Sequence, residues 1–253
     1  MISDTRVIKS SKKFNMMEEF RNQNMFSDIS VWDEEYSSIR AIPSSTRLLP
    51  SKGLLQFSEI VDFNNQKRVL DMGTGIGRNA IFIANKGSFV TALDGSKVAL
   101  STLRKLVEEN RLAKSVNIVD YVFQTSLPFE KESFDVIIDS YFFCHLINEV
   151  IRENYLNELN RILNNEGLIY MSVFAEDDEY YDKIREANTE RDSGIVEDPH
   201  NHVRKQLYTS DQIQAILSNT FTIKKFKNFK FDDVVLGQTF KRSLYITLLS
   251  KRK

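Results

Sequence analysis

The stretch that decides the fold runs from residue 68 to residue 79 and reads RVLDMGTGIGRN. Its apolar start predicts a short buried strand, and three glycines follow at alternate positions, Gly73, Gly75 and Gly77. Glycine is needed where the backbone adopts a positive φ or comes close to a ligand. A turn of this kind, between a strand and a helix, lies where open α/β sheets bind ligands. The stretch therefore predicts a βα unit with a ligand crevice at its turn, in preference to a tight turn without a ligand.

Strand and helix patterns alternate on both sides of this turn. Short apolar runs predict strands, and amphipathic stretches predict the helices between them. This alternation indicates βαβ units, and hence an α/β fold with a doubly wound, mostly parallel sheet covered by helices on both faces. Two later stretches, at 221–231 and 243–249, predict an antiparallel pair. The earlier strands are predicted over 68–71, 89–94, 116–123, 134–139 and 168–174, and the helices over 76–86, 96–107 and 147–163.

Length and composition are those of an ordinary globular chain. Of 253 residues, 42% are hydrophobic and 27% are charged, and 18 Phe and nine Tyr can fill a large core. No apolar run approaches the ~20 residues of a membrane span, and the first residues lack the apolar stretch of a secretory signal. The single cysteine, Cys144, excludes a disulfide within this sequence and a cysteine-rich zinc site. We therefore expect a cytoplasmic protein without a membrane partner.

No linker divides the sequence, so residues 1–253 are expected to form a single domain. Residues 1–50 are expected to form an N-terminal helical cap, which ends in a proline-bracketed loop. The alternating core spans 67–174. Residues 175–207 are acidic and predict an insertion after the fifth strand that shapes a substrate site. Residues 208–253 complete the fold with a helix and the strand pair.

Charge is balanced overall and uneven along the chain. The formal net charge is −1, which argues against a dedicated nucleic-acid-binding protein. Residues 166–198 contain eleven acidic and three basic side chains, whereas residues 203–253 contain eleven basic and three acidic ones. The basic end leaves contact with a polyanion open. A lysine-rich edge strand, which resists aggregation, is the favoured interpretation.

The spacing and neighbours of the glycines indicate which ligand the turn binds. A dinucleotide site favours Gly-x-Gly-x-x-Gly, one residue longer than the spacing here. Asp71, beside the turn, would repel a pyrophosphate. Asp94, which ends the second predicted strand, can accept hydrogen bonds from both hydroxyls of a ribose. The pattern therefore predicts a nucleoside with a positively charged, phosphate-free attachment.

Four ordered stretches resemble the motifs of the class I S-adenosylmethionine-dependent methyltransferases. They span 69–79, 91–96, 127–139 and 159–168, within a similarity that runs from about 67 to 175. The resemblance implies a Rossmann-like sheet of seven strands with the last one antiparallel, and S-adenosylmethionine as the cofactor. It is specific for the superfamily and not for a substrate.

The resemblance also implies how the cofactor lies. Its methionine part is expected over the glycine turn, its ribose at Asp94, and its adenine near Gly95, Ser96 and the loop after the third strand. The expected cofactor-binding residues are Asp71, Gly73, Thr74, Gly75, Gly77, Arg78, Asn79, Asp94, Gly95, Ser96, Gln124, Thr125, Ser126, Asp139 and Ser140.

The loop after the third strand departs from the family pattern. The family often carries an Asp shortly before Leu-Pro-Phe to accept hydrogen bonds from the adenine amino group. In this sequence Gln124, with Thr125 and Ser126, stands closest before that tripeptide. These residues are expected to contact adenine, and Asp120 is the alternative.

Residues just after the fourth predicted strand face the methyl group in this fold. Asp139 is a candidate to orient the nucleophile or to contact the cofactor, with helix capping as the alternative. His145 is a candidate general base because its ordinary pKa lies near neutrality; a structural hydrogen bond is the alternative. Tyr141 and Phe142 are expected either to wall the substrate site or to belong to the core.

Two other segments are expected to shape the substrate site. Trp32 and Tyr36 lie four residues apart and would share one face of a helix, which favours either a lid over the cofactor or simple docking against the sheet. In the insertion, His200 is a candidate substrate contact. The spacing of Asp198, His200 and His202 matches no recognised metal site, so no metal is expected.

The favoured function is transfer of a methyl group from S-adenosylmethionine to an oxygen, nitrogen or sulfur nucleophile of a small molecule. Balanced charge, the candidate lid and the absence of an Asn/Asp-Pro-Pro-Tyr motif after the fourth strand support it. Methylation of RNA or protein is the second interpretation, favoured only by the lysines at 224–227. A cofactor-binding partner without catalytic activity is the third, and a nicotinamide-dependent reductase is the least favoured. The acceptor and the oligomeric state are left open.

Overall fold

Side chains of a parallel strand point alternately to two faces, and both faces must be covered when both are apolar. The computed structural model describes residues 29–64, 66–187 and 194–252. Part of the predicted cap segment, residues 1–28, lies outside the described residues. The strands of the main sheet are β1 (Arg68–Met72), β2 (Phe89–Asp94), β3 (Val116–Asp120), β4 (Phe134–Ser140), β5 (Leu163–Phe174), β8 (Phe221–Val235) and β9 (Gln238–Lys251).

The seven strands lie in the order β3-β2-β1-β4-β5-β9-β8. Strands β1 to β5 run parallel, and β9 runs antiparallel to both β5 and β8. This arrangement confirms the predicted doubly wound, mostly parallel sheet. Two short strands, β6 (Ile195–Glu197) and β7 (Arg204–Gln206), form a separate antiparallel hairpin in the insertion.

Helices cover both faces of the sheet. The first helix of the described residues, α1 (Ile29–Glu34), continues as a π-helical turn over Glu35–Ile39. No helix of the described ranges is long and apolar enough to cross a bilayer. The helices are α1 (Ile29–Glu34), α2 (Lys52–Ser58), α3 (Arg78–Asn85), α4 (Lys97–Glu109), α5 (Glu149–Ile162), α6 (Glu179–Ala187) and α7 (Ser210–Ser218).

Alternate residues of the central strands enter different cores. Val69 and Ile138 pack with apolar residues of α2, α3 and α4. Their neighbours Leu70 and Ile137 pack with apolar residues of α5 and α7. All four side chains are fully buried, so the continuous apolar runs of β1 and β4 are explained by a sheet that is covered on both sides.

Several element boundaries differ from the prediction; β5, for example, begins at Leu163 and not at residue 168. Helix α3 begins at Arg78 and not at residue 76, because Gly77 has a left-handed φ of 86° that a helix interior excludes. Strand β3 ends at Asp120, where its pairing with Asp94 of β2 also ends. Strands β8 and β9 are longer than predicted because they pair as one hairpin up to Val235.

The N-terminal segment is tied to the rest of the fold by two carboxylates. Asp33 Oδ1 accepts a hydrogen bond from Ser96 Oγ at 2.6 Å, which docks α1 on the start of α4. Glu35 is fully buried. Its Oε1 accepts from the Ile42 N–H, and its Oε2 accepts from Asn201 Nδ2, each at 2.8 Å. Because Asn201 follows β6, Glu35 joins α1 to the insertion.

The substitution Gly77→Ala tests the turn that begins α3. Its Cβ would overlap Cδ1 of Leu103 in α4. We expect a loss of unfolding free energy above the ~1–2 kcal/mol that a left-handed backbone alone costs, measured by urea denaturation. Gly237→Ala is the matched control, because Gly237 has a φ of 78° but no atom within 4 Å of its Cβ. Equal losses in the two variants would contradict the close packing of Gly77.

Candidate active site

A cavity lies where the strand order reverses. After β1 the chain moves outward to β2 and β3, and it then returns to β4 on the other side of β1. At such a point the connections leave on opposite faces, and a crevice opens beyond the carboxyl ends of the strands. The cavity there has a volume of about 650 Å³, within the range of small-molecule sites. Its walls come from the loops after β1 to β4, from α1, from the insertion and from β9.

The glycine turn lines one side of the cavity. Gly73, Thr74 and Gly75 line it, and the Thr74 N–H donates to the carbonyl of Leu93 in β2 at 3.0 Å. Behind them Asp71 is buried and accepts a hydrogen bond from Thr74 Oγ1 at 2.6 Å. Burial raises the pKa of Asp71 to about 7, against the opposing effect of that hydroxyl. Asp71 therefore braces the turn and does not itself line the cavity.

The start of α3 extends this wall. Arg78 and Asn79 line the cavity, whereas Gly77 does not. Asn79 Oδ1 accepts a hydrogen bond from the Ser51 N–H at 2.9 Å, which holds the segment before α2 against the turn. Of the predicted cofactor residues in this stretch, Gly77 and Asp71 therefore shape the turn from outside the cavity.

Asp94 is fixed at the cavity wall by two backbone donors. Its Oδ2 accepts from the Gly75 N–H at 2.8 Å, and its Oδ1 accepts from the Ser96 N–H at 2.9 Å. Burial raises the pKa of Asp94, and these N–H groups oppose that rise. Each carboxylate oxygen has a second lone pair, so the side chain can still accept hydrogen bonds from a diol. Gly95 lines the cavity beside it, whereas the Ser96 hydroxyl is buried and bound to Asp33.

The loop after β3 contributes residues that the sequence interpretation missed. Three residues that directly follow the strand line the cavity: Tyr121, Val122 and Phe123. The three predicted adenine contacts lie further along, exposed and away from the cavity: Gln124, Thr125 and Ser126. Asp120, the alternative, does not line it either. The reason is the early end of β3, which turns the apolar triplet into the cavity.

Asp139, at the end of β4, organises the turn that follows it. The side chain is fully buried and does not line the cavity. Its Oδ1 accepts from the Phe143 N–H at 3.1 Å, and its Oδ2 accepts from the Tyr155 hydroxyl at 2.8 Å. Burial raises the pKa of Asp139 to about 7. The next residue, Ser140, lines the cavity and donates to Ser51 Oγ at 3.0 Å.

Two aromatic side chains after β4 line the cavity. Tyr141 has a left-handed φ of 78°, a strained conformation for a bulky residue and one that concentrates at functional sites. Its ring stacks on Phe174 with centroids 4.8 Å apart. Phe142 covers the glycine turn so closely that a Cβ on Gly73 would lie 2.7 Å from its Cδ2. Both rings therefore wall the site.

His145 lines the cavity as a neutral imidazole. Its Nδ1 lies 3.0 Å from the carbonyl oxygen of Arg204. A carbonyl only accepts, so Nδ1 carries the proton and Nε2 keeps a lone pair. Burial and, to a smaller extent, the nearby charge of Lys205 lower the pKa of His145 to about 3. The ring also meets the face of Trp32 edge-on, with centroids 4.8 Å apart.

Both predicted lid residues line the cavity, and the predicted contact in the insertion does not. Trp32 and Tyr36 lie on the cavity wall, and the Tyr36 hydroxyl sits 2.5 Å from where a Cβ on Gly75 would stand. His200 is exposed, and its N–H donates to Asp198 Oδ1 at 3.0 Å. His200 lies in the connection between β6 and β7, where its side chain is exposed to solvent while that of its neighbour Asn201 is buried.

Charged and aromatic residues from distant parts of the chain complete the wall. Their sequence signal is faint: Lys205 follows an acidic stretch, and Arg242 interrupts an apolar strand. Arg47 is held by an ion pair with Asp233. The residues not anticipated from sequence include Arg47, Lys52, Phe174, Tyr181, Lys205 and Arg242.

Cys144 lies behind this wall and not on it. The thiol is fully buried, and Sγ accepts a hydrogen bond from the Phe174 N–H at 3.4 Å. Burial raises the pKa of Cys144 to about 12. Across the described part of the chain, no group of three or more His, Cys, Asp or Glu side chains could hold a metal ion.

The substitution Asp94→Asn tests the ribose contact expected from the resemblance. The amide of the variant has no negative charge, and it turns an NH₂ group toward one of the two backbone N–H donors. We therefore expect S-adenosylmethionine to bind about 10- to 100-fold more weakly, as for a lost hydrogen bond to a charged group. Isothermal titration calorimetry gives the affinity. Asp120→Asn is the control, because Asp120 pairs with Asp94 in register but lies outside the cavity. Unchanged affinity in Asp94→Asn would contradict the placement.

Comparison with known proteins agrees with this geometry. Residues 69–167 match the family described as "Methyltransferase domain". A solved S-adenosylmethionine-dependent methyltransferase from Methanosarcina mazei is similar at 19% identity, with a TM-score of 0.63, over 74% of this chain and 94% of that one. Among curated proteins none matches in sequence.

Two other solved structures share the fold. One comes from work on the conversion of a disulfide bond into a thioacetal group during echinomycin biosynthesis, with 21% identity, a TM-score of 0.64, and coverage of 88% of this chain and 92% of that one. The other is the cyclase SpnF, with 15% identity, a TM-score of 0.59, and coverage of 79% and 81%. At these identities the likeness shows the fold alone. The names of the two structures point to different reactions.

The matched domain covers the turn, Asp94 and the strands that carry them. Two observations fit S-adenosylmethionine at this site: Asp94 keeps free acceptor capacity at the wall, and the turn beside it is too tight for side chains at Gly73 and Gly75. Residues 69–167 match a methyltransferase domain, and the chain has the fold of a solved S-adenosylmethionine-dependent methyltransferase, which indicates S-adenosylmethionine as the cofactor.

Proposed function

We propose that this enzyme methylates an oxygen, nitrogen or sulfur nucleophile of a small molecule. The supporting observation is the extent of the cavity. It reaches from the glycine turn and Asp94 past His145 to Lys205 and Arg242, which belong to the insertion and to β9. A volume of about 650 Å³ leaves space for a compact acceptor beside the cofactor. A cytoplasmic location, expected from the single cysteine, is part of the proposal.

The cover over the cavity favours a small acceptor. Trp32 and Tyr36 line it from the N-terminal segment, and Tyr181 and Lys205 line it from the insertion. The buried carboxylate of Glu35 holds these two parts together through Asn201. A macromolecular acceptor would have to displace this cover to reach the glycine turn, whereas a small molecule fits beneath it.

When bound, S-adenosylmethionine supplies the electrophilic methyl group. The residues of the chain then have to bind the cofactor and the acceptor, orient them toward each other and exclude water. We assign ribose binding to Asp94 and the exclusion of water to the rings of Tyr141 and Phe142. His145 offers the Nε2 lone pair to a proton on the nucleophile. Because the pKa of His145 is lowered to about 3, the imidazole orients that proton better than it removes it.

The structure offers little support for RNA as the acceptor. The lysines at 224–227 lie in β8, the outermost strand of the sheet and the fifth from β2 in the strand order. Lys227 Nζ donates to Gln56 Oε1 at 3.2 Å, and Lys230 pairs with Asp177 at 2.6 Å. This arrangement favours a lysine-rich edge that resists strand pairing.

The decisive experiment is product formation. The purified chain is incubated with S-adenosylmethionine carrying a labelled methyl group and with fractionated small-molecule extract, and S-adenosylhomocysteine is measured by mass spectrometry. Gly75→Asp is expected to abolish it, because Gly75 has a φ of 57° and its Cβ would lie 2.5 Å from the Tyr36 hydroxyl. Gly237→Asp, in the β8–β9 turn, is the matched control.

Two results would contradict the proposal. Tight cofactor binding without turnover on any fraction would favour a non-catalytic partner protein. Label transferred only to RNA or protein would favour the macromolecular alternative.

His145→Ala tests the polar group beside the acceptor. Loss of the Nε2 lone pair, which orients the proton of the nucleophile, is expected to lower kcat by about tenfold, as for one lost hydrogen bond, with little change in the Kd of S-adenosylmethionine. His202→Ala is the control, since His202 is exposed and contacts Glu197. If kcat is unchanged, His145 has only its structural hydrogen bond to Arg204.

A further inference from the structure

A buried ammonium that forms no ion pair with any described residue lines the cavity at the insertion. Lys205 is 1% exposed. Its Nζ donates to the Tyr181 hydroxyl at 2.8 Å and lies 4.2 Å from the centre of that ring. Within the described ranges Lys205 pairs with no carboxylate. Burial lowers the pKa of Lys205 to about 8, so most of it stays charged at neutral pH. The Tyr181 hydroxyl, to which it donates, is neutral, and the charge of Asp198 only partly offsets the effect of burial. A buried charge of this kind is costly unless a ligand compensates it.

A guanidinium with unused hydrogen-bond donors lies beside Lys205. Arg242 is 4% exposed and lines the same cavity. Its Nε donates to both oxygens of Asp178, at 2.8 and 3.1 Å. Its Nη2 has no hydrogen-bond partner in the described part of the chain. Arg242 Cζ lies 5.1 Å from the centre of the Tyr181 ring, so both cations pack on one tyrosine.

The carboxylates near these cations are already engaged. Asp178 also accepts from the Ser243 N–H at 3.0 Å. Asp198 accepts from the Tyr180 hydroxyl and from the His200 N–H, each at 3.0 Å. Neither carboxylate lines the cavity. This part of the wall therefore presents positive charge and unused N–H donors to whatever occupies the cavity.

We propose that the methyl acceptor carries an oxyanion, a carboxylate or a phosphate ester, that binds at Lys205 and Arg242. The inference rests on the proposed function and narrows its substrate class. An oxyanion satisfies free donors on both cations and forms charge-assisted hydrogen bonds with them. It also sets the acceptor's position, because the residue before Lys205 is Arg204, whose carbonyl holds His145. The anion would anchor the acceptor with its nucleophile near the His145 imidazole.

The test compares anion binding in the wild type and in Lys205→Met. Both proteins are loaded with S-adenosylhomocysteine, and their Tm is measured in the presence of acetate, benzoate or phenyl phosphate. Acetamide and benzamide are the neutral controls. We expect the anions, and not the amides, to raise the Tm of the wild type. Binding is expected to weaken at least about tenfold in Lys205→Met, and Lys205→Arg should restore it. Lys225→Met, at an exposed position of β8, is the matched control.

Lys205→Met also separates a functional role from a structural one. Methionine fills the same space without a buried charge, so the ligand-free variant should melt at or above the wild-type temperature. If no anion raises the Tm of the wild type more than that of Lys205→Met, the inference is overturned, even where the enzyme methylates small molecules. If the anions raise the Tm of the wild type more than that of Lys205→Met but no acceptor is methylated, the anion site is supported and the proposed function is contradicted. Stronger protection by benzoate than by phenyl phosphate identifies the carboxylate.

Discussion

Three carboxylates at or next to the ends of neighbouring strands hold the active-site edge of the sheet together; Asp71 and Asp139 are buried and Asp94 is partly buried. Asp94, Asp71 and Asp139 belong to β2, β1 and β4, which lie side by side. Burying a carboxylate is costly unless hydrogen bonds satisfy it, and here each one accepts from the turn that follows its strand. These hydrogen bonds therefore hold each turn against the end of the strand that precedes it. Asp71 and Asp139 do not line the cavity, so Asp94 is the member of this trio that can meet a ligand.

Charged side chains of both signs line the cavity. Asp94 and Arg78 lie beside the glycine turn, and Lys205 and Arg242 lie at the side formed by the insertion and β9. An anionic acceptor would be attracted to the ammonium and guanidinium groups of that side, because opposite charges attract strongly where water is excluded. The aromatic rings of Tyr141 and Phe142 separate the site from the cores of the sheet.

The sequence predicted the site residues that lie close together in the chain, and it did not predict those that tertiary packing brings together. The strand, the glycine spacing and the helix of the first βα unit are adjacent in the chain, so the turn and Asp94 could be placed from the pattern. Gln124 and its neighbours lie away from the cavity and the three residues before them line it, because the end of β3 depends on pairing with β2. Lys205 and Arg242 meet only because the insertion packs on β9, and no short-range pattern encodes that contact.

The lone sulfhydryl of the chain has a practical and a chemical consequence. An enzyme that handles an alkylating cofactor is exposed to alkylation of its own soft nucleophiles, and a thiolate is the most reactive of them. The Cys144 side chain is sealed in the core with its pKa raised to about 12, so almost none of it is ionised at neutral pH. Self-alkylation at sulfur is thereby suppressed without any dedicated shield. Assays that count thiols freed from the spent cofactor need no correction for the folded protein.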